Sequence, residues 1–206
     1  RRAGQYITPM KRVCIYCGSS PGSLPEYAAA ARQCGTIMAQ RGLAVVYGGG
    51  NVGLMGILAD AALAASGEVI GVIPRRMIAH ELGHAGVTSL IAVDSMHERK
   101  QKMADLSDGF IALPGGIGTM EELFEAFTWL QLDLHHKPVG LLNVAGFYDR
   151  LVEFLDYMHS QHFLKQEHLE TLVVEDTIER LLDRFASFNY KPIGKWIDRK
   201  LGTRRP

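Results

Sequence analysis

Short runs of β-branched and aromatic residues alternate along this chain with longer segments of helical periodicity, and no other feature limits the fold as strongly. The strand-like runs are Arg12–Tyr16, Ala44–Tyr47, Val69–Ile73, Val87–Val93, Gly109–Leu113 and Val139–Leu142, with a shorter one at Leu172–Val174. Helical spacing covers Pro25–Arg41, Gly53–Ala65, Met96–Leu106, Thr119–Leu134, Phe147–Gln161 and Thr177–Phe185. Runs such as Ala-Val-Val-Tyr and Phe-Ile-Ala-Leu are apolar at every position. A strand with one solvated face alternates apolar and polar residues, so these runs predict strands covered on both faces. The expected fold class is α/β: a Rossmann-like, doubly wound parallel sheet flanked by helices, in a single domain.

The length, 206 residues, suits one sizeable domain of this kind, and 47% apolar residues are enough to fill its core. The expected division is a lead-in over residues 1–10, the Rossmann-like domain over 11–186 and a basic tail over 187–206. In the tail, Ile193, Trp196 and Ile197 have the spacing of a small amphipathic helix. A formal net charge of zero argues against a nucleic-acid partner, which normally calls for a basic excess. No apolar run approaches the roughly 18 residues that span a bilayer, so no membrane association is expected. The N-terminal RRAGQYITPMKR carries charges without the apolar segment of a secretory signal. Three cysteines, Cys14, Cys17 and Cys34, form a low, odd count that suits a reducing cytoplasm. Cys14 and Cys17 make a CxxC on a strand, where residues three apart face opposite sides. They are expected to be buried side chains that share neither a disulfide nor a metal.

Ligands of open α/β sheets bind at the carboxyl ends of the strands. The segments that follow the first five strands are CGSSPGS, GGGNVGLMG, PRRM, DSMHERK and PGGIGTMEE, most of them rich in glycine, hydroxyls or cations. Ser19 offers a hydroxyl to a ligand or to its own turn, and no GxSxG elbow makes it a nucleophile. Gly48–Gly53 matches GxGxxG, but the next strand ends in Ile73-Pro74-Arg75 and lacks the acid that holds a dinucleotide ribose. No GK[ST] follows a glycine loop, so a P-loop is not indicated. Gly49 and Gly50 remain candidates for an anion or nucleotide contact through backbone N–H groups, with a tight packing turn as the alternative. His80-Glu81-Leu82-Gly83-His84 is a literal HExxH. A zinc site of that type needs a sustained helix, and Pro74, Gly83 and Gly86 interrupt this region, so a loop at the site rim is expected and no metal.

Two charge clusters stand out. In MHERKQKMADL, Arg99 and Lys100 lie three and four residues after Met96, beside the apolar stripe of their helix. Charges at that position need a pocket or a partner, or they snorkel outward. In the second cluster Thr119-Met120-Glu121-Glu122 fits the T-x-x-E capping box, and Glu121 suits the positive end of a helix dipole. From residue types alone, Glu122 is equally a cap and a catalyst. Met120, Leu123, Phe124, Phe127 and Leu130 form the core stripe of this helix, with Glu121, Glu125 and Thr128 on another face. Its breadth of apolar and aromatic residues also offers a dimer contact.

The stretches Pro114-Gly115-Gly116-Ile117-Gly118-Thr119-Met120-Glu121-Glu122 and Met96-His97-Glu98-Arg99-Lys100 together resemble the PGGxGTxxE and M-H-x-R-K signatures of the LONELY GUY family, the cytokinin riboside 5′-monophosphate phosphoribohydrolases. CGSSPG, YGGGNVGLMG and HKPVGLLNVAGFYD extend the resemblance over Lys11–Arg184. Such proteins have also been described as possible lysine decarboxylases; no lysine here stands in a setting for pyridoxal phosphate, and the hydrolase reading is favoured. The resemblance implies a homodimer that acts on a nucleoside 5′-monophosphate, AMP or an N6-modified form such as N6-isopentenyl-AMP. It implies cleavage of the N-glycosidic bond to free base and ribose 5-phosphate, without metal or organic cofactor. It implies Arg99 and Glu122 as the catalytic pair. It also implies substrate contacts from Glu81, Lys100, Glu121 and Thr128, and from the cradle Gly115, Gly116, Gly118 and Thr119. A carboxylate beside the sugar suits an oxocarbenium-like transition state, and open N–H groups at a helix start suit a 5′-phosphate. The competing expectation is a nucleotide-binding module on the same scaffold that releases no base.

Overall fold

The fully apolar runs lie side by side in one sheet, as strands covered on both faces must. The computed structural model describes residues 10–78 and 83–191. The strands are β1 (Arg12–Tyr16), β2 (Ala44–Tyr47), β3 (Val69–Pro74), β4 (Ser89–Val93), β5 (Gly109–Ala112), β6 (Val139–Leu142) and β7 (Leu172–Glu175). The helices are α1 (Pro25–Gln40), α2 (Gly53–Ala64), α3 (Arg75–Ile78), α4 (Met96–Leu106), α5 (Ile117–Gln131), α6 (Asp149–Ser160), α7 (Gln166–Leu169) and α8 (Ile178–Ala186). The order across the seven-stranded sheet is β4-β3-β2-β1-β5-β6-β7, and every neighbouring pair is parallel. The chain winds outward from β1 to β4, returns to pair β5 with β1, and winds outward again. The direction therefore reverses between β1 and β5, where a doubly wound sheet opens its ligand crevice.

The central strands β1, β2, β5 and β6 are buried along almost their whole length, whereas the edge strand β4 is partly exposed. That exposure accounts for β4 beginning at Ser89, two residues after the expected Val87: Thr88 instead turns its Oγ1 to accept the Val69 N–H at 3.0 Å. Alternate residues of each central strand enter opposite layers. Val13, Ile15, Val45 and Tyr47 pack under α1, α2 and α8, with Leu58, Leu181 and Phe185. Cys14, Val46, Phe110 and Leu141 pack under α4, α5 and α6, with Met103, Leu123, Phe127 and Leu155. Cys14 thus lies in one layer and Cys17 in the other, as their strand spacing predicted, and Cys34 on α1 is buried as well. Burial pushes the Cys34 thiol up to about 12, so it stays protonated and acts as a small apolar residue.

Most element ends agree with the sequence reading to within two residues. One exception with consequences is α5, which begins at Ile117 on an extended Gly116 and carries no side-chain cap. α6 begins at Asp149 because the preceding turn, Val144–Gly146, is pinned: the Asn143 side chain accepts the Tyr148 N–H at 2.7 Å. The short helices α3 and α7 were not anticipated. Among the described residues no helix is long and apolar enough to cross a membrane. The expected lead-in before Met10, the amphipathic segment around Trp196, and His80 and Glu81 lie outside the described residues.

Three loops meet above the reversal point. The Gly18 N–H donates to the Pro114 carbonyl at 3.1 Å, and the Leu54 N–H donates to the Gly18 carbonyl at 3.0 Å. Gly53 makes this junction feasible. Its φ is +60°, and a Cβ there would lie 2.3–2.4 Å from the carbonyl of Ser19 and the nitrogen of Ser20. Gly53→Ala combines a left-handed backbone with a backbone clash and is expected to cost about 2–4 kcal/mol. A thermal melt should show this as a fall of about 5–15 °C; an unchanged melting temperature would mean that the loops are not locked together there.

Candidate active site

The site is built where α4 and α5 start, on either side of the crevice. α4 is capped reciprocally: Ser95 Oγ accepts the Glu98 N–H at 3.1 Å, and the Glu98 carboxylate accepts the Asp94 N–H at 2.8 Å. This fixes the first turn and with it the direction of Arg99. Arg99 is 9% exposed. Its Nε donates to the Val72 carbonyl at 3.1 Å and its Nη2 to the Gly48 carbonyl at 3.2 Å, so β3 and the residue after β2 both hold it. Its Nη1 lies 3.7 Å from Glu122 Oε1. Gly48 is required by this approach, because a Cβ there would stand 1.9 Å from Nη2 and displace the guanidinium.

Glu122 faces Arg99 from the second turn of α5, with a side chain 12% exposed. The T-x-x-E reading of Thr119 and Glu122 as a capping box is corrected by the structure. The helix starts two residues earlier, so Thr119 sits inside the first turn and Glu122 is clear of the helix end. Burial pushes the Glu122 carboxyl above the usual carboxylate range. The Arg99 guanidinium pulls against that shift, Glu121 reinforces it, and weaker contributions from Lys100 and Glu125 oppose each other. Glu122 is therefore a desolvated carboxyl beside a buried cation, a setting typical of functional acids and bases.

A cleft of about 340 Å³ opens beside this pair. Its floor is Tyr16–Gly18 and Gly48; Met55, Met77 and Met96 form one wall; Gly116–Thr119, Glu121 and Glu122 form the other. In α5 the Met120 N–H donates back to the Gly116 carbonyl, so the N–H groups of residues 117–119 precede it at the open helix end. Those groups and the local dipole favour an anion. A second hollow of about 210 Å³ adjoins the cleft across Ser19 and Gly116, between Tyr27, Phe147 and Gly115.

Arg99, Glu121, Glu122, Gly116, Gly118, Thr119 and Ser19 thus converge on the cleft, and Gly115 lies in the adjoining hollow. Others do not reach it. Gly49 and Gly50 are buried and tie down the loop after α3: the Gly49 carbonyl accepts the His84 N–H at 2.9 Å, and Gly50 forms a bridge with Gly83. The second histidine of HExxH, His84, places its Nε2 3.0 Å from Asp60; the first, His80, lies outside the described residues. Thr128 is exposed on the outer side of α5. Lys100 does not line the cleft; it pairs with Glu121 at the cleft wall and, at 3.0 Å, with Glu125. Glu81 lies outside the described residues. Sequence reasoning missed Gly48, the Val72 carbonyl and the methionine wall. Gly48 carried a readable signal as the first residue after a strand; the Val72 carbonyl carried none. No lysine lines the cleft among the described residues.

The same fold occurs in solved structures of low sequence identity. A molybdenum cofactor binding protein from Rippkaea orientalis superposes with a TM-score of 0.65 at 22% identity, covering 87% of this chain and 97% of that one. The Moco carrier protein of Chlamydomonas reinhardtii gives 0.66 at 19% identity, covering 87% and 98%. Residues 55–185 match the family model described as "Possible lysine decarboxylase". Full sequences are far more similar. The rice (Oryza sativa subsp. japonica) cytokinin riboside 5′-monophosphate phosphoribohydrolase LOG is 44% identical over 185 residues, covering 90% of this chain and 76% of the rice protein. Arabidopsis thaliana LOG1, of the same name, is 43% identical over 178 residues, covering 86% and 84%. Identity at this level over most of both chains means that this chain belongs to the LONELY GUY family of phosphoribohydrolases.

Proposed function

We propose that the chain hydrolyses the N-glycosidic bond of a nucleoside 5′-monophosphate, AMP or an N6-modified AMP, giving the free base and ribose 5-phosphate. The observation that carries this reading is the buried Arg99–Glu122 pair at the edge of a cleft walled in part by an open helix start. The named activity of the rice and Arabidopsis relatives supports it. The 5′-phosphate lies against the N–H groups of Gly116–Thr119. That placement brings the sugar to the second turn of α5, where Glu122 stands. As the C1′–N9 bond breaks, its electron pair leaves with the base and positive charge grows on the ribose. The Glu122 carboxylate stabilises that charge and accepts a proton from water as the water oxygen bonds to C1′; the departing base takes up a proton. Arg99 keeps Glu122 ionised against its own desolvation and fixes the carboxylate in place. The methionine wall is apolar and adaptable, suited to a planar base and its N6 substituent.

A homodimer is part of the same reading. Phe154 (56% exposed), Tyr157 (58%) and Phe163 (84%) present aromatic surface from α6 and the turn after it, and Thr128 lies exposed on α5. A cytoplasmic location is supported by the three unpaired cysteines.

Incubation with AMP and with N6-isopentenyl-AMP, followed by chromatography, should show free base from at least one. Binding without base release would favour the non-catalytic module. Adenosine should be a far poorer substrate than AMP; equal rates would remove the phosphate cradle from the argument. Light scattering should return twice the chain mass, and a monomer mass would refute the dimer.

Glu122→Gln should lower turnover on the order of 100-fold or more. It should also hold or raise the melting temperature at pH 7. The folded carboxyl is raised above its unfolded value, so the folded state binds the extra proton and ionisation of Glu122 costs stability. That cost is fully present above the folded pKa and fades as pH falls toward the ordinary carboxylate value. The stability gap between variant and wild type should close over the same range. A variant that melts lower at neutral pH yet turns over normally would make Glu122 a structural residue.

A further inference from the structure

A second ion cluster lies one residue away from the catalytic pair along both helices. Lys100, next to Arg99, has a side chain only 11% exposed, although it does not line the cleft. A cation at that depth needs a permanent counter-charge. Two carboxylates one helical turn apart on α5 hold it, Glu121 and, at 3.0 Å, Glu125. They are not equivalent. The Glu121 side chain is 52% exposed and lines the cleft beside Glu122, whereas that of Glu125 is 26% exposed and does not reach the cleft.

From this asymmetry, and resting on the hydrolase reading of the site, we propose that Glu125 is a positioning residue. It is the standing partner of Lys100, and it leaves Glu121 free to exchange between Lys100 and a bound substrate. When Glu121 turns to a ligand, Glu125 alone keeps Lys100 paired. Without Glu125, Lys100 must retain Glu121 or remain buried and unpaired beside Arg99. Either course disturbs the wall that carries Glu122. Glu125 also acts on Glu122 through space. The groups that face Glu122 are Arg99 and Lys100 from α4, Glu121 and Glu125 from its own helix, and Cys14, Tyr16 and Cys17 from β1 and the residue after it. Burial holds those two thiols and the phenol neutral at ordinary pH, so the two cations and the two neighbouring carboxylates set the local field. In that field Glu125 opposes ionisation of Glu122.

The test uses the full chain with Glu125→Gln, Glu125→Asp, Glu122→Gln and the 122/125 double variant. In a double-mutant cycle of melting temperatures at pH 7, the gain from Glu122→Gln should be smaller when Glu125 is already Gln, and this coupling should fade on acidification. In kinetics with whichever nucleotide the wild type cleaves, Glu125→Gln should move the acid limb of kcat/KM to lower pH. It should also raise KM about fivefold, the equivalent of one partly buried ion pair. Glu125→Asp, which keeps the charge, should recover part of both effects and stands in if the Gln variant does not fold. An additive cycle overturns the proposal, and so does an unmoved acid limb in a variant that turns over. Failure of the wild type to release any base would instead refute the hydrolase reading, and the cycle would still decide the role of Glu125.

Discussion

The site depends on one buried cation. Arg99 gives two of its donors to carbonyls of β3 and of the residue after β2 and turns a third toward Glu122 on α5. It therefore joins both halves of the sheet, since β2 and β3 lie on one side of β1 and α5 follows β5 on the other. A desolvated guanidinium is tolerable only when its donors are met, and two main-chain carbonyls meet part of that need without neutralising the charge. The charge remains available to Glu122, whose burial would otherwise favour its protonated form. The 3.7 Å separation is loose for an ion pair. It leaves the carboxylate oxygens free to engage water or a sugar while still feeling the cation.

This arrangement follows from the reversal of winding. Because β5 returns to pair with β1, the glycine loops after both strands open over the same gap, and the loop after β2 closes in from the side. Main-chain contact between those loops excludes side chains at Gly53, and Arg99 excludes one at Gly48. Glycine in these loops is thus partly a consequence of close packing rather than of ligand binding. Gly49 and Gly50 illustrate the point: their backbone groups are engaged with Gly83 and His84, although the local pattern resembles a nucleotide loop.

Much of the fold was legible because its signals are local or periodic. The strands at Arg12–Tyr16, Ala44–Tyr47 and Val139–Leu142 and the helix at Met96–Leu106 match their expected bounds, since uninterrupted apolar runs and capped stripes leave little choice. The start of α5 was not legible in the same way. T-x-x-E is a valid cap, yet the helix starts at Ile117, two residues before Thr119, with Gly116 in the cap position, so the motif never occupies it. The reciprocal cap occurs at α4, where Ser95 and Glu98 carry the same kind of pattern. Two local patterns of equal merit were present, and tertiary packing realised only one of them. The partners of Arg99 were less accessible still, because Val72 and Gly48 come near it only through the strand order. Nor could periodicity separate Arg99 from Lys100. Consecutive residues on a helix differ by about 100°, and here that angle brings Arg99 to the cleft and leaves Lys100 off its lining, paired with Glu121 and Glu125.

The start of α5 removes Glu122 from the cap position, and its electrostatic surroundings differ from those of a cap as well. A capping carboxylate is stabilised by helix N–H groups and has its pKa lowered. Glu122 shows the reverse, a carboxyl raised by burial in a site where Glu121 lies one residue away and Glu125 within one turn. Across the α4–α5 face two cations meet three carboxylates, so the face is short of one positive charge. A growing positive charge on a ribose ring would supply it at the moment the glycosidic bond breaks. An acidic excess costs stability in the resting protein and lowers the energy of a cationic transition state. The same imbalance would be unfavourable for a site whose only task was to hold an anionic nucleotide, because Glu121 and Glu122 share the cleft wall with the phosphate cradle. The charge distribution favours chemistry at the sugar over simple retention of the nucleotide.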